Sequence, residues 1–244
     1  MPIIIPDNLP ARKTLEHEGV LVISEPEAIR QDVRPMRVAL LNLMPEKIKT
    51  ETQLTRLIGA TPLQVEMTLL TTSSYTPKNT SADHLLAFYR SWESVRHLTF
   101  DGLIITGAPI ETMPFEDVKY WDELTQILDW SQTHVQETLN ICWGGQASLY
   151  HFHKVPKYNL AEKLFGVFPH RIETLNTTFL RGFTNSFPVP VSRHSENRRA
   201  DIEAVPDLKI LASSDEAGMC LIRDEAHRQL IMLNHLEYEH DTLA

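Results

Sequence analysis

Apolar residues come in short, nearly continuous runs separated by longer stretches of mixed polarity, and the two kinds of segment alternate along the chain. MRVALLNL (36–43) is the first such run, and its continuity predicts a strand buried on both faces. IKTETQLTRLIGA (48–60) follows, with Ile48, Leu54, Leu57 and Ile58 near one helical face and Gly59 as a stop, so a helix with that face inward is expected. The same unit recurs. QVEMTLL (64–70) predicts a strand, followed by a polar loop of Thr, Ser, Pro and Asn that reads as flexible and site-facing, then by a helix over ADHLLAFYRSWESVRH (82–97). DGLIITGAP (101–109) runs as a strand into a Gly-Ala-Pro turn, with a helix expected from Phe115 to about Gln136. TLNIC (138–142) and GGQASLYHF (144–152) make the next strand and helix.

This alternation predicts an α/β fold, a doubly wound and mostly parallel sheet flanked by helices. Residues 1–35 read as a proline-punctuated leader packing on one main domain, 36–244. Between about 155 and 200 the pattern loosens around Pro156, Pro169, Pro188 and Pro190 and reads as β-rich connections. KILASS, MCLIR and QLIMLN then supply short strands, hairpin-paired in part.

Composition narrows the partners. A formal charge of −9 over 244 residues argues against a nucleic-acid backbone or an anionic membrane surface, so a small-molecule partner is expected. Arg34, Arg37, Lys47 and Lys49 gather near one strand end, where they would steer a polyanion such as coenzyme A or simply be solvated. Two cysteines make no disulfide framework, which suits a reducing compartment such as the cytoplasm. No window approaches the roughly 20 apolar residues of a membrane span, and none is expected. No H-E-x-x-H, G-x-G-x-x-G or Walker pattern occurs, and His151 and His153 point apart on a helix, so no metal and no permanently bound cofactor is expected.

Ligands of open α/β sheets sit beyond the carboxyl ends of the strands. Three strand ends carry chemistry. In NICWGGQ, Cys142 closes a strand and Gly144 and Gly145 open a helix, the arrangement of a nucleophile elbow. A helix N-terminus lowers a thiol pKa from about 8.5 toward neutrality, which favours the nucleophilic thiolate; a buried inert cysteine is the alternative, and it is the reading for Cys220. In NHLEYE (234–239), His235 and Glu237 project to one side of an extended chain, so the carboxylate can orient the imidazole, unless the two are an ordinary surface pair. In TGAP, Gly107 can bring a backbone N–H to a substrate oxygen and form an oxyanion hole with the N–H of Trp143, or be a plain tight turn.

The pattern x-x-C-x-G-x-Q with a late H-x-E resembles the class I glutamine amidotransferase-like (flavodoxin-like) fold, although Asn140 stands where a glycine is usual. The longer set LLNLMPEKIKTETQ, ITGAPIE, NICWGGQA and NHLEYE, with the leader MPIIIPDNLPA, is similar to the homoserine O-acyltransferase family of methionine biosynthesis. The resemblance implies ping-pong transfer from an acyl-CoA through a Cys142 thioester to the hydroxyl of L-homoserine, with Lys163 and Ser192 binding substrate and a homodimer as the assembly. Members of that family usually continue beyond the position of Ala244, where an arginine is expected to grip the homoserine carboxylate; that extension is expected to be absent here.

Family members use succinyl-CoA or acetyl-CoA, and the residue after the G-A-P-I turn separates them; here it is Glu111. Two like charges about 4 Å apart at an effective dielectric near 20 cost on the order of 4 kcal/mol, so Glu111 disfavours a succinyl carboxylate and acetyl-CoA is the expected co-substrate. Homoserine O-acetyltransfer is therefore expected. Succinyl transfer, glutamine amidohydrolysis on the same three residues, and a non-catalytic thiol sensor are the competing readings.

Overall fold

The structure, a computed structural model, describes residues 2–74, 79–175 and 177–243. The chain divides into two compact units, the first running to Ile104 and taking back Asp122–Gln136, the second formed by Ile105–Trp121 and the chain from Glu137 onward.

In the first unit the leader supplies β1 (Ile3–Ile4), α1 (Ala11–His17), β2 (Val22–Ile23) and α2 (Glu25–Ile29). Ser24 caps α2 in a reciprocal box with Glu27. Next come β3 (Met36–Leu41), α3 (Lys47–Gly59), β4 (Val65–Thr71), α4 (Ala82–Phe88), β5 (Tyr89–Ser91), α5 (Trp92–Val95), β6 (Phe100–Ile105) and α6 (Trp121–His134). Their strands follow the order β2-β1-β4-β3-β6, with β5 on β4, and β1 and β3 both pair parallel to β4. The leader is thus part of the sheet, because Ile3 and Ile4 are as buried as the apolar run of β3.

Three local expectations are corrected. The span 82–97 is not one helix: Tyr89–Ser91 becomes a strand between two short helices, since Tyr89 is buried as a sheet partner of Leu69. The helix expected from Phe115 begins only at Trp121, with a single 3-10 turn at Phe115–Asp117 before it. In α3 the inward face is the polar one. Lys47, Thr50, Glu51, Gln53 and Leu54 are buried while Ile48 and Leu57 are 43% and 49% exposed.

A buried hydrogen-bond cluster explains that inversion. Glu51 Oε1 accepts from the Tyr89 hydroxyl at 2.5 Å and lies 3.0 Å from His84 Nε2, while Lys47 Nζ donates to the Asn42 carbonyl at 2.5 Å and Asn42 Nδ2 donates to Tyr89 Oη at 2.9 Å. Lys47 is therefore not a surface cation that steers polyanions, and Arg34 is paired with Asp101. In the polar loop after β4, the backbone N–H groups of Ser73 and Ser74 donate to Glu123 at 2.8 and 3.0 Å. The loop's residues 75–78, read from sequence as flexible and site-facing, lie outside the described residues.

The second unit holds β7 (Val135–Ile141, entering it at Glu137), α7 (Trp143–His153), β8 (Tyr158–Ile172), β9 (Ser186–Glu196), α8 (Arg199–Glu203), β10 (Leu208–Ser214), β11 (Gly218–Asp224) and β12 (Gln229–Met232). Strands follow the order β7-β12-β11-β10-β8-β9, with β12 parallel to β7 and the other pairs antiparallel. Residues 155–200, expected as irregular connections, contain a long hairpin instead. Pro188 and Pro190 sit in β9, whose one sheet partner is β8, so their missing N–H groups are tolerated at an edge. Leu149, Ile202, Ile222, Ile231 and Leu233 are buried together as its core.

Burial pulls the Lys47 ammonium down to about 8, with Glu51 opposing. The unfolded chain keeps that proton to the ordinary lysine value near about 10.4, so it binds more protons in the window between and folding stability rises with pH there. In thermal melts, the Tm difference between Lys47→Met and wild type, mutant minus wild type, is expected to fall between pH 7 and pH 10. A difference independent of pH would mean that Lys47 keeps its ordinary lysine value in the folded chain.

Candidate active site

The strand β7 ends in a turn that only small neighbours allow. Cys142, at the N-cap of α7, has φ 51° and ψ −118°, a left-handed combination that a side chain disfavours. A Cβ on Gly144 would stand 2.7 Å from the Thr106 carbonyl oxygen and 3.0 Å from that of Ile105, backbone atoms that cannot yield. One on Gly145 would stand 2.8 Å from Ile231 Cγ2. The two glycines therefore let α7 start directly beneath the strand ends and turn the Cys142 side chain away from the core, as in a nucleophile elbow. The Cys142 N–H donates to the Met232 carbonyl at 2.7 Å, which ties the elbow to β12.

The continuation of β12 brings the second group. His235 is 4% exposed, its N–H donates to the Pro190 carbonyl at 3.0 Å, and its Nδ1 lies 2.7 Å from Glu237 Oε1. With Nδ1 engaged, Nε2 is the nitrogen left for Cys142, to which the ring is hydrogen-bonded. Burial works against the imidazolium, but the Cys142 and Glu237 charges and both hydrogen bonds outweigh it and carry the His235 pKa up to about 10. His235 thus carries its proton at neutral pH. A surface His–Glu pair does not fit this geometry, since both side chains are buried.

The other sequence candidates surround this pair. Gly107 lies against it, since a Cβ there would be 3.1 Å from Cys142 Cβ and 3.6 Å from its sulfur. Trp143 is the first residue of α7, where backbone N–H groups have no intrahelical acceptor, and its indole is buried beside Phe115 and Tyr120. Ser192 is hydrogen-bonded to Tyr238, whose ring stacks on His235 at 4.2 Å and 10°. Phe165 is the register partner of Ser192 across β8 and β9, and Lys163 Nζ stands 4.7 Å over the Phe165 ring. Lys163 is therefore exposed on that sheet face rather than bonded to the triad. Glu111 contributes to the field at Tyr238, and its carbonyl accepts from Lys157 Nζ at 2.5 Å.

Asn140, the departure from the glycine usual there, is fully buried and donates to Gln229 Oε1 at 2.7 Å, so it belongs to the β7–β12 packing rather than to the cleft.

Three residues of the site escaped sequence reasoning. Tyr238 keeps its phenol protonated, chiefly through burial and then the Glu237 and Cys142 charges. Arg193 is 4% exposed, donates to Asn234 Oδ1 and, at 2.5 Å, to the Ala217 carbonyl. Burial pulls its guanidinium below the ordinary value, with the Cys142 charge opposing. A signal for it existed: Val189, Val191, Arg193 and Ser195 share one inward face of β9, so a cation occupies an apolar register. Lys157 had no such signal.

The fold matches solved glutamine amidotransferases. A Thermotoga maritima glutamine amidotransferase superposes with TM-score 0.60 over 84% of this chain and 77% of its own, at 12% identity. The glutaminase domain of Trypanosoma brucei CTPS gives 0.54 over 84% and 87%, at 11% identity. The expected class I glutamine amidotransferase-like, doubly wound α/β architecture is the observed one. Such likeness defines the fold alone. Residues 2–244 match the homoserine O-succinyltransferase family, and the chain belongs to that family. A homoserine O-acetyltransferase of Allorhizobium ampelinum is 60% identical over 244 residues, all of this chain and 79% of the relative. Those of Hyphomonas neptunium (58% over 239 residues, 98% and 78%) and Novosphingobium aromaticivorans (58% over 244, 100% and 81%) are similar. Among the described residues no helix is long and apolar enough to cross a membrane.

In histidine nitrogen NMR spectra, wild-type His235 is expected to keep its imidazolium pattern at pH 8, above the ordinary histidine value of about 6.5. Cys142→Ser removes the sulfur that contributes to the rise and should move that titration to lower pH. An unchanged titration would show that Cys142 does not raise it.

Proposed function

We propose that this chain is a homoserine O-acetyltransferase that carries acetyl on Cys142 and passes it to the hydroxyl of L-homoserine, with acetyl-CoA as co-substrate and no permanently bound cofactor. The observation that carries the reading is the buried Cys142–His235–Glu237 line at a strained strand-to-helix elbow, in a chain about 60% identical to a homoserine O-acetyltransferase over its whole length.

In this scheme the Cys142 thiolate attacks the acetyl-CoA carbonyl, the C–S bond to coenzyme A breaks, and His235 gives its proton to the departing thiolate. The now neutral His235 takes the proton of the homoserine hydroxyl as that oxygen attacks the thioester. Cys142 leaves as thiolate, and the resting ion pair is restored. Thioester exchange is nearly isoenergetic and oxygen-ester formation is downhill, so cysteine is a suitable carrier. Glu237 holds the imidazole in the tautomer and orientation that aims Nε2 at sulfur. The backbone N–H groups of Gly107 and Trp143 serve the tetrahedral oxyanion, an arrangement worth about 3 kcal/mol per donor in comparable enzymes.

Lys163 and Ser192 bind substrate, Lys163 as a cation for a carboxylate. Glu111 opposes a succinyl carboxylate by like charge and selects acetyl-CoA. A homodimer, and a division into a leader (1–35) and one acyltransferase domain (36–244), belong to the same proposal and rest on the family resemblance.

Two measurements test it. Intact-protein mass spectrometry after incubation with acetyl-CoA alone is expected to show one acetyl adduct that is absent in Cys142→Ala and discharges on adding homoserine. Ammonia release from glutamine without any adduct would favour an amidohydrolase instead. Glu111→Gly is expected to shift the succinyl-CoA to acetyl-CoA ratio of kcat/KM upward by up to roughly a thousandfold, from the like-charge estimate; no shift would remove Glu111 from donor choice.

A further inference from the structure

Away from the elbow, at the opposite end of α7, three metal-ligating side chains converge. His153 is the last residue of α7, Asp224 the last of β11, and His227 stands in the turn that joins β11 to β12. His153 Nε2 lies 2.6 Å and His227 Nδ1 2.9 Å from the same oxygen, Asp224 Oδ2, and one ligand atom from each residue falls within 4.8 Å of the others. Sequence spacing pointed to no metal because these residues sit on separate elements that only the tertiary fold brings together.

The surroundings hold the three in place. Asp224 Oδ1 accepts the His227 backbone N–H at 3.1 Å, the His227 ring stacks on Phe152 at 4.2 Å and 21°, and the His227 carbonyl accepts from Gln229 Nε2 at 2.9 Å. Asp224 is 1% exposed and His153 8%, while His227 is 30% exposed, so the cluster has a dry floor and one side open to water. The hydrogen bonds from His153 and the His227 N–H keep the Asp224 carboxyl below its ordinary range although burial alone would raise it. Two imidazoles and a carboxylate, with room for a water, are the donor set and coordination number that zinc and its first-row neighbours take; magnesium and calcium prefer all-oxygen sites. Bond lengths near about 2.0–2.1 Å place ligand atoms somewhat farther from one another than the two hydrogen bonds do, so metal entry requires the rings to draw back from Asp224 by less than about 1 Å.

We propose that His153, Asp224 and His227 form a structural site for a divalent transition metal, zinc by preference, in which the metal replaces the two His–Asp hydrogen bonds. The metal ties the C-terminal end of α7 to the turn that precedes β12. Those two elements carry, at their other ends, Cys142 and the approach to His235. An 11-residue helix is about 16 Å long, so the ion braces the elements that bear nucleophile and base without touching the chemistry.

The test uses the full chain, stripped with chelator, in the Cys142→Ala background so that the reactive thiol offers no competing ligand. Zinc titration followed by calorimetry and by thermal melting is expected to show one equivalent bound and a Tm that rises with zinc concentration. Cobalt should give visible ligand-field bands without a thiolate charge-transfer band. His227→Gln, in a partly exposed turn, and Asp224→Asn should each weaken binding at least about tenfold, with folding checked by circular dichroism. His151→Gln, outside the cluster, should bind as the parent does. No saturable zinc binding, or equal affinity in parent and His227→Gln, would overturn the site and leave a hydrogen-bonded His–Asp–His cluster.

Discussion

The backbone of Cys142 is held at φ 51° and ψ −118°, a conformation that costs on the order of 1–3 kcal/mol for a residue with a side chain, and the second unit is built around keeping it there. Its N–H is anchored to Met232 by the parallel register of β7 and β12. Gly144 and Gly145 allow α7 to approach the strand ends more closely than any Cβ would. Trp143, fully buried between aromatic neighbours, prevents the helix from sliding back. The strain places the sulfur where a helix start and an imidazole both face it, so the backbone cost is converted into a defined position of the thiol.

An imidazolium this deeply buried needs further support, because its charge has lost most of its hydration. Glu237 supplies it at Nδ1 of the ring. Arg193 reaches the site through Asn234, the residue immediately before His235, and Asn234 in turn donates to His170 Nε2 at 3.0 Å, whose Nδ1 donates to the Phe168 carbonyl at 2.9 Å. The chain thus fixes the segment carrying His235 from both β8 and β9. Tyr238 closes the other face of the imidazole as a neutral ring, adding van der Waals contact without a competing charge.

Donor choice in the proposed reaction has the same economy. Glu111 sits on a turn whose carbonyl is gripped by Lys157, and Lys157 also lies 5.1 Å over the Phe115 ring, so the turn is referenced to the aromatic wall that includes Trp143. Under the proposal, the choice of a neutral acetyl over an anionic succinyl donor rests on this one charged position.

Local sequence determined the strand-helix alternation, the elbow at Cys142 and the pairing of His235 with Glu237, because each is written within a few consecutive residues: a run of apolar side chains, two adjacent glycines, a two-residue spacing in extended chain. Helix boundaries and faces failed where tertiary demand overrode period, as at Tyr89–Ser91, drawn into the sheet, and at α3, whose buried Glu51 is satisfied by His84 and Tyr89 from later in the chain. The long β8–β9 hairpin was hidden by prolines that an edge strand tolerates. Lys157 was illegible as a site residue, and so was the meeting of His153 with Asp224, since each depends on a partner tens of residues away; Arg193 left a signal as a cation in the inward register of β9, but its partners Ala217 and Asn234 left none. Hydrophobic period and turn chemistry act locally and can be read from sequence; the field at a buried charge is summed over neighbours that only the folded chain brings within a few ångströms.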